Sequence, residues 1–189
     1  MILLAVLILA VVTVPLAGGA LGALGDIRLR WPGAIAAAIG LQILIISIFP
    51  NRFEALHEPI HVLSYLFAAA FLIRNLNLPG VPLIGLGALC NFVAIVANGG
   101  VMPASVTAQR AAGIVEEGSG FVNSGVVEDP NLLFLGDVFA IPESWPVLNN
   151  VFSVGDVLIA LGAVVLIHGV CGSRLIPRWA GGMSTPRHA

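Results

Sequence analysis

Five long apolar runs, separated by short polar segments, dominate the hydropathy pattern of the chain. They cover residues 2–24, 33–49, 60–73, 81–97 and 151–170, and a helix needs roughly 20 apolar residues to cross a bilayer core. No water is available there to satisfy backbone N–H and C=O groups, so runs of this length are expected to be helical. The pattern therefore predicts an all-α integral membrane protein with about five transmembrane helices.

Composition supports the same interpretation. Hydrophobic residues make up 58% of the 189 residues and charged residues 10%, with a mean hydropathy of +1.02, whereas soluble domains carry about 25% charged residues. The length fits a single membrane domain over residues 1–179, with a flexible cytoplasmic tail over 180–189. We expect the lipid bilayer to be the main partner. The net charge of −2 argues against nucleic acid as a partner, because phosphate binding requires a basic surface.

The arginines predict an orientation. All eight basic residues are arginines, a usage typical of GC-rich bacterial genomes. Under a five-span topology only Arg52 and Arg110 lie on one side, and six lie on the other: Arg28, Arg30, Arg74, Arg174, Arg178 and Arg187. The positive-inside rule then places the N-terminus outside and the C-terminus in the cytoplasm. We therefore expect a multi-pass protein of the bacterial cytoplasmic membrane.

Residues 99–150 are predicted to form one long, partly structured extracytoplasmic loop. Its segment 132–142 is too apolar for a solvated loop and too short to cross a bilayer. A loop of this length is usually functional or disordered, and its apolar content argues against disorder.

Four candidate metal ligands lie close together in the sequence. On a continuous helix, Glu54, His57, Glu58 and His61 would share one face at i, i+3, i+4 and i+7. Such a face could bind a divalent metal or relay protons. Pro59 argues against it, because proline favours the first helical turn and disfavours helix at the residue before it. We predict that the third helix begins at Pro59 and that no cofactor is bound; a divalent metal is kept as the alternative.

Two asparagines mark the fourth helix. Asn91 and Asn98 are seven residues apart, which places them on one helical face. They could hydrogen-bond to a neighbouring helix or line a polar cavity that holds a ligand. Asn98-Gly99-Gly100 is also typical of a helix stop. These four residues are candidates for ligand binding.

Asp156 is the acidic residue that stands out in the last helix, with apolar residues following it. A carboxyl group inside a membrane span costs on the order of 3 kcal/mol, so it is expected to have a partner or a function. Capping the helix N-terminus is the alternative role. Asp137 has a similar sequence context, and contact between the two carboxyls would raise the pKa of one of them.

These motifs resemble an uncharacterised group of small bacterial membrane proteins, the domain of unknown function 5317. The resemblance extends from about residue 61 to residue 167 and is carried by His61-x-x-Ser64-Tyr65, Asn91, Asn98-Gly99-Gly100-x-Met102-Pro103, Leu135-Gly136-Asp137 and Ser153-x-Gly155-Asp156-Val157. It implies no activity. It does imply that the polar and glycine positions form one ensemble, made of Asn98, Gly99, Gly100, Asp137 and Asp156, and we add His61 and Tyr65 as candidates for ligand binding.

Three functional classes follow from these residues. We expect a binding or assembly component that uses a polar cluster on its outer face, with a membrane protein or a second copy of the chain as partner. A small-solute carrier is the first alternative. A membrane enzyme that uses a metal, or acid/base chemistry, is the second. No hydrolase, P-loop or dinucleotide-binding motif is present in the sequence.

Overall fold

A computed structural model describes residues 2–44, 54–114, 124–145 and 147–176, with only the backbone described for residues 54–58. Helices account for most of the described residues. They are α1 (Ile2–Leu16), α2 (Pro32–Ile43), α3 (Glu54–Arg74), α4 (Val81–Ala97), α5 (Val106–Ala111) and α6 (Val154–Val170). The strands are β1 (Met102–Pro103), β2 (Ser124–Gly125), β3 (Asp137–Ile141) and β4 (Asn150–Ser153).

The helices α4 and α6 form the centre of the fold and run antiparallel. Gly87 lies against the backbone of Gly155, and Gly80 lies against that of Gly162. A methyl group added at any of these glycines would overlap atoms of the facing helix. Two glycine pairs, seven residues apart on each helix, therefore bring the two backbones into direct contact.

The remaining long helices extend this pair on both sides. α1 packs on α6, α3 packs on α4, and α2 packs on α3. Hydrogen bonds join the segments between helices: the Asn75 side chain donates to the carbonyl of Arg30 and accepts from its N–H, at 2.8 and 2.9 Å. At the other side of the fold, Nε2 of His168 lies 3.2 Å from Oγ1 of Thr13. The helix ends are thus fixed by polar contacts as well as by apolar packing.

The strands form a small cap beside the junction of α4 and α6. β1 pairs in parallel with β2, and β3 pairs antiparallel with β4. An isolated bridge between Ala104 and Asp137 links the two pairs. In the register of the second pair, Asp137 lies opposite Ser153, the residue directly before α6. The cap therefore places residues of the long connection next to the start of α6.

The structure overturns the membrane prediction. Across residues 2–44, 54–114, 124–145 and 147–176, no helix is both long and apolar enough to cross a membrane. The helices α1, α2, α4 and α6 contain 15, 12, 17 and 17 residues, fewer than the roughly 20 required. α3 contains 21 residues, but four of its first eight are Glu or His. The predicted five-span, multi-pass protein of the bacterial cytoplasmic membrane, with its outer N-terminus and cytoplasmic C-terminus, is therefore wrong.

The all-α prediction is also wrong, because four short strands are present among the described residues. Several helix ends differ from the predicted runs. α1 ends at Leu16 and not at residue 24, since the chain turns at Gly18, which has a φ of +74°. α3 begins at Glu54 and continues through Pro59, which removes one backbone donor without ending the helix. α6 begins at Val154, after strand β4. α4 has the predicted bounds, and the tail 180–189 lies outside the described residues.

Candidate functional site

Three polar side chains form a closed hydrogen-bonded ring between α4 and α6, which we call the Asn91 ring. Its members are Asn91 on α4, Ser153 before α6, and Asp156 in the first turn of α6. Nδ2 of Asn91 donates to Oδ1 of Asp156 at 2.9 Å, and Oγ of Ser153 donates to Oδ1 of Asn91 at 2.8 Å. The N–H of Asp156 donates to Oγ of Ser153 at 2.9 Å, while the N–H of Ser153 donates to Oδ2 of Asp156 at 3.0 Å.

The local sequence explains why the ring forms. Ser153 and Asp156 are three residues apart and make a capping box, in which each side chain binds the backbone N–H of the other. Gly155 lies between them, and a Cβ atom there would overlap Oδ1 of Asn91. The glycine therefore admits the amide from α4. Asp156 has a structural role as the cap of α6, which was one of the two roles that its position suggested.

Asp137 lies next to this ring and is nearly buried, with 6% of its surface exposed. Its Oδ2 accepts a hydrogen bond of 2.5 Å from Oγ of Ser124 on β2. Burial raises the pKa of the Asp137 carboxyl above its ordinary value of 3.8; the bond from Ser124 partly opposes this rise, and the charge of Asp156 adds to it. The charge of Asp156 therefore acts on Asp137, and no hydrogen bond joins their carboxyls in the described part of the chain.

This shift predicts how stability depends on pH. Because the folded protein binds the Asp137 proton more tightly than the unfolded chain, ionisation of this group disfavours folding. The free-energy cost of ionising Asp137 in the folded state is absent below about pH 4. It grows as the pH rises toward the pKa of Asp137 in the folded state, and it is constant above that pKa. We expect Asp137→Asn to remove this contribution, so that the variant gains stability relative to the native protein as the pH rises above about 4.

Urea denaturation at a series of pH values measures this difference. Asp129→Asn is the matched control, because Asp129 is an exposed acid and its substitution should leave the pH dependence of the native protein in place. Identical pH profiles for the native protein and Asp137→Asn would contradict the assignment of a raised pKa to Asp137.

Tyr65 and His61 lie on α3 and stack with their rings edge to face, 5.2 Å apart. Burial raises the pKa of Tyr65 to about 12, and the charges of Asp156 and Asp137 contribute. Burial lowers the pKa of His61 from 6.5. Both side chains are therefore neutral near pH 7.

The other predicted ligand residues lie apart from the Asn91 ring. Asn98 is at the end of α4, where its amide donates to the carbonyls of Ala94 and Asn131 and its Oδ1 accepts the N–H of Asn131, all within 2.8 Å. Gly99 and Gly100 follow with positive φ angles of 65° and 92° and end the helix. Asn98 therefore fixes the connection after α4 to the helix end, and the structure does not bring this segment into the ring.

The predicted metal site lies at the start of α3. The side chains of Glu54, His57 and Glu58 lie outside the described residues, although the backbone around them is helical. His61, the fourth candidate, is buried. Within the described residues, no group of three or more His, Cys, Asp or Glu side chains is placed to hold a metal ion.

Two grooves lie beside the ring and differ in chemistry. The α3/α4 groove lies between helices α3 and α4 and has a volume of about 450 Å³. Among the 13 described residues that line it, Tyr65 is the one with a polar side chain. The α1/α6 groove has a volume of about 380 Å³ and is lined from three elements. Its polar residues are Asn150 and Asp156, and its apolar residues are Ile2, Leu3, Val6, Phe152, Val157, Ala160, Leu161 and Val164. Asp156 thus belongs both to the Asn91 ring and to a groove.

A family model matches residues 26–168 and is described as a family of unknown function, DUF5317. The chain belongs to this family. The match confirms the resemblance suggested by the motifs and extends it to the segment before α2. No curated protein and no solved structure matches the chain. Family membership therefore adds no activity for this DUF5317 protein.

Some residues of the site were missed as site candidates. Ser153 and Gly155 appeared only as parts of a motif, although the Ser-x-x-Asp spacing is itself a capping signal. Ser124 gave no signal beyond a turn, because its contact with Asp137 depends on the pairing of distant segments. Asn150 was also missed, since its position in the α1/α6 groove depends on how α1 packs against α6.

Proposed function

We propose that this DUF5317 protein is a binding protein whose ligand is a small amphipathic molecule held in the α1/α6 groove. The observation that carries the proposal is the composition of this groove, which has polar residues at one end and an apolar wall along its length. Its volume of about 380 Å³ lies within the range of about 300–1,000 Å³ that is usual for small-molecule sites.

The order of residues along α6 supports a ligand with one polar end. Asp156 lies in the first turn, and the lining residues that follow it on this helix are all apolar: Val157, Ala160, Leu161 and Val164. Their spacing of one, four, five and eight residues from Asp156 places them on one helical face. On the opposite wall α1 contributes three apolar residues, Ile2, Leu3 and Val6. A ligand would therefore place its polar head at Asp156 and its tail between α1 and α6.

Asp156 can take part in binding while it caps the helix. Each of its carboxylate oxygens accepts one hydrogen bond, from Asn91 or from the N–H of Ser153. A carboxylate has about four acceptor sites, so further lone pairs are available to a ligand. The cap and the Asn91 amide hold the carboxylate in place before binding, which lowers the entropy cost of ordering the site.

The α3/α4 groove is larger, but it offers fewer polar groups that could orient a ligand, because Tyr65 is the one polar residue among its described lining residues. The exposed apolar side chains along it, including Leu66, Ile73 and Leu89, are of the kind found at interaction surfaces. The assembly function therefore stays a prediction, and the α1/α6 groove favours ligand binding.

Filling the α1/α6 groove with a larger side chain tests the proposal. Ala160→Phe is expected to weaken saturable binding of 1-decanol and n-decylammonium at least tenfold, because the ring would occupy the space of the tail. The matched control is Ala88→Phe, which introduces the same ring on the wall of the α3/α4 groove and should leave binding intact. Isothermal titration calorimetry gives both affinities.

Circular dichroism spectra show whether both phenylalanine variants are folded. Loss of binding in Ala88→Phe with retention in Ala160→Phe would move the site to the α3/α4 groove. Equal affinities in the two variants and the native protein would contradict any role for the α1/α6 groove.

A further inference from the structure

Building on the proposed groove function, we infer that the ligand is an alkylammonium-type molecule, with a cationic head at Asp156 and an unbranched apolar tail of about ten carbons along α6. The charge of the head and the length of the tail follow from the residues that line the groove and from the distribution of charge along the fold.

A cationic head follows from the groups present at the polar end of the groove. Asp156 supplies a carboxylate, and Asn150 supplies a neutral amide. An anionic head would lie against the Asp156 carboxylate, which carries the same charge, and the N–H of Asp156 already donates to Oγ of Ser153. The positive end of the helix dipole is also already matched by the Asp156 carboxylate. An ammonium group is the head that this end of the groove complements.

Arg174 and Arg74 do not place a positive charge at the polar end of the α1/α6 groove. Arg174 follows the far end of α6, where its N–H donates to the carbonyl of Ala17. The distance from Asp156 to Val170 along α6 is roughly 21 Å at 1.5 Å per residue, more than twice the screening length of about 8 Å at physiological salt. Arg74 stacks on Trp31, at the end of α3 that adjoins the start of α4. Asp156 is therefore the charged side chain among the described residues that line the groove.

The length of the apolar wall sets the length of the tail. From Asp156 to Val164 the lining residues of α6 advance by eight positions, or about 12 Å. An extended alkyl chain with C–C bonds of about 1.5 Å advances roughly 1.25 Å per carbon. A tail of about ten carbons thus covers the wall, and longer tails would extend beyond the last lining residue.

Binding of simple probes to the native protein tests both parts of the inference. We expect n-decylammonium to bind at least tenfold more tightly than 1-decanol or decanoate, because these probes share a tail and differ in the head. In the series from hexyl- to decylammonium, affinity should rise by up to about fourfold per methylene, the value for full burial. It should level off between decyl- and tetradecylammonium.

Two variants assign the head to Asp156. Asp156→Asn should bring the affinity for n-decylammonium close to that for 1-decanol, whereas Asp129→Asn, which removes an exposed acid elsewhere, should preserve the difference. The comparison of probes on the native protein remains decisive if Asp156→Asn fails to fold. Equal binding of decylammonium and decanol by the native protein, with both lost in Ala160→Phe, would overturn the cationic head and leave the groove function intact. Binding that is unaffected by Ala160→Phe would overturn both.

Discussion

Replacing Gly87 with alanine is expected to lower the free energy of unfolding by about 2–3 kcal/mol, which is typical of an overpacked core position. The added methyl group would overlap the carbonyl oxygen of Gly155 and would lie 2.9 Å from both the backbone nitrogen and Cγ1 of Ile159. Backbone atoms on the facing helix cannot rotate away as a side chain could. The two helices must therefore separate, which also loosens the contact between Gly80 and Gly162.

The matched control for this prediction lies two residues away on the same helix. A Cβ atom at Gly85 would meet nothing within 4 Å, so Gly85→Ala adds no clash. It should raise stability by about 0.5–1 kcal/mol, because alanine favours helix over glycine. Urea denaturation measures both variants. Equal effects at Gly85 and Gly87 would contradict close backbone contact between α4 and α6.

The second large effect is expected for Ser153→Ala, which should lower the free energy of unfolding by about 2–3 kcal/mol. Loss of an N-cap side chain costs about 0.5–2 kcal/mol. In addition, Oδ1 of the half-buried Asn91 loses the hydroxyl that donates to it; an unsatisfied polar atom costs about 1–3 kcal/mol when it is buried and less where water reaches it. Ser153 is fully buried, which limits rescue by water.

Ser105→Ala is the control for the cap. Ser105 precedes α5 in the same position, but its side chain makes no capping hydrogen bond, so its removal should change stability by less than about 0.5 kcal/mol. A double-mutant cycle with Asn91→Ala then measures the coupling between the two ring members. We expect an interaction energy of about 1–2 kcal/mol, within the range for directly contacting residues. Additive effects would mean that the Asn91 ring does not act as a unit.

Local signals in the sequence predicted some elements well. The bounds of α4 follow from the apolar run over residues 81–97 and from the Asn98-Gly99-Gly100 stop, which acts within a few residues. Of the two roles considered for Asp156, capping corresponds to its place in the Asn91 ring, and binding stays a prediction. The motifs were sufficient to identify the family, which the match over residues 26–168 confirms.

The membrane prediction failed because the length of an apolar run is not the length of a helix. Residues 2–24 are almost uninterrupted in hydropathy, yet the helix ends at Leu16 and the chain turns at Gly18 and Gly19. A Cβ atom at Gly19 would lie 2.9 Å from Cγ1 of Val14 and 3.0 Å from the carbonyl oxygen of Cys171. The turn is thus held by tertiary contact with the end of α6, which hydropathy does not register.

The strands and their contacts were missed for a different reason. β3 is part of the apolar segment 132–142, but its partner β4 begins nine residues after β3 ends, and neither strand alternates clearly enough to be recognised. The contact of Asp137 with Ser153 depends on this pairing. Its contact with Ser124 depends on the pairing of β1 with β2 and on the bridge between Ala104 and Asp137. Contacts that strand pairing creates between distant segments cannot be predicted from the hydropathy pattern of neighbouring residues.

Photo-crosslinking tests the central claim, ligand binding in the α1/α6 groove, most directly. The probe is an n-decylammonium analogue with a diazirine at the end of its tail, and mass spectrometry of the labelled peptides locates the contact. We expect saturable labelling of α1 and α6 near Val6, Leu161 and Val164, removed by excess n-decylammonium. Labelling confined to the α3/α4 groove, or labelling that excess n-decylammonium does not reduce, would contradict the account.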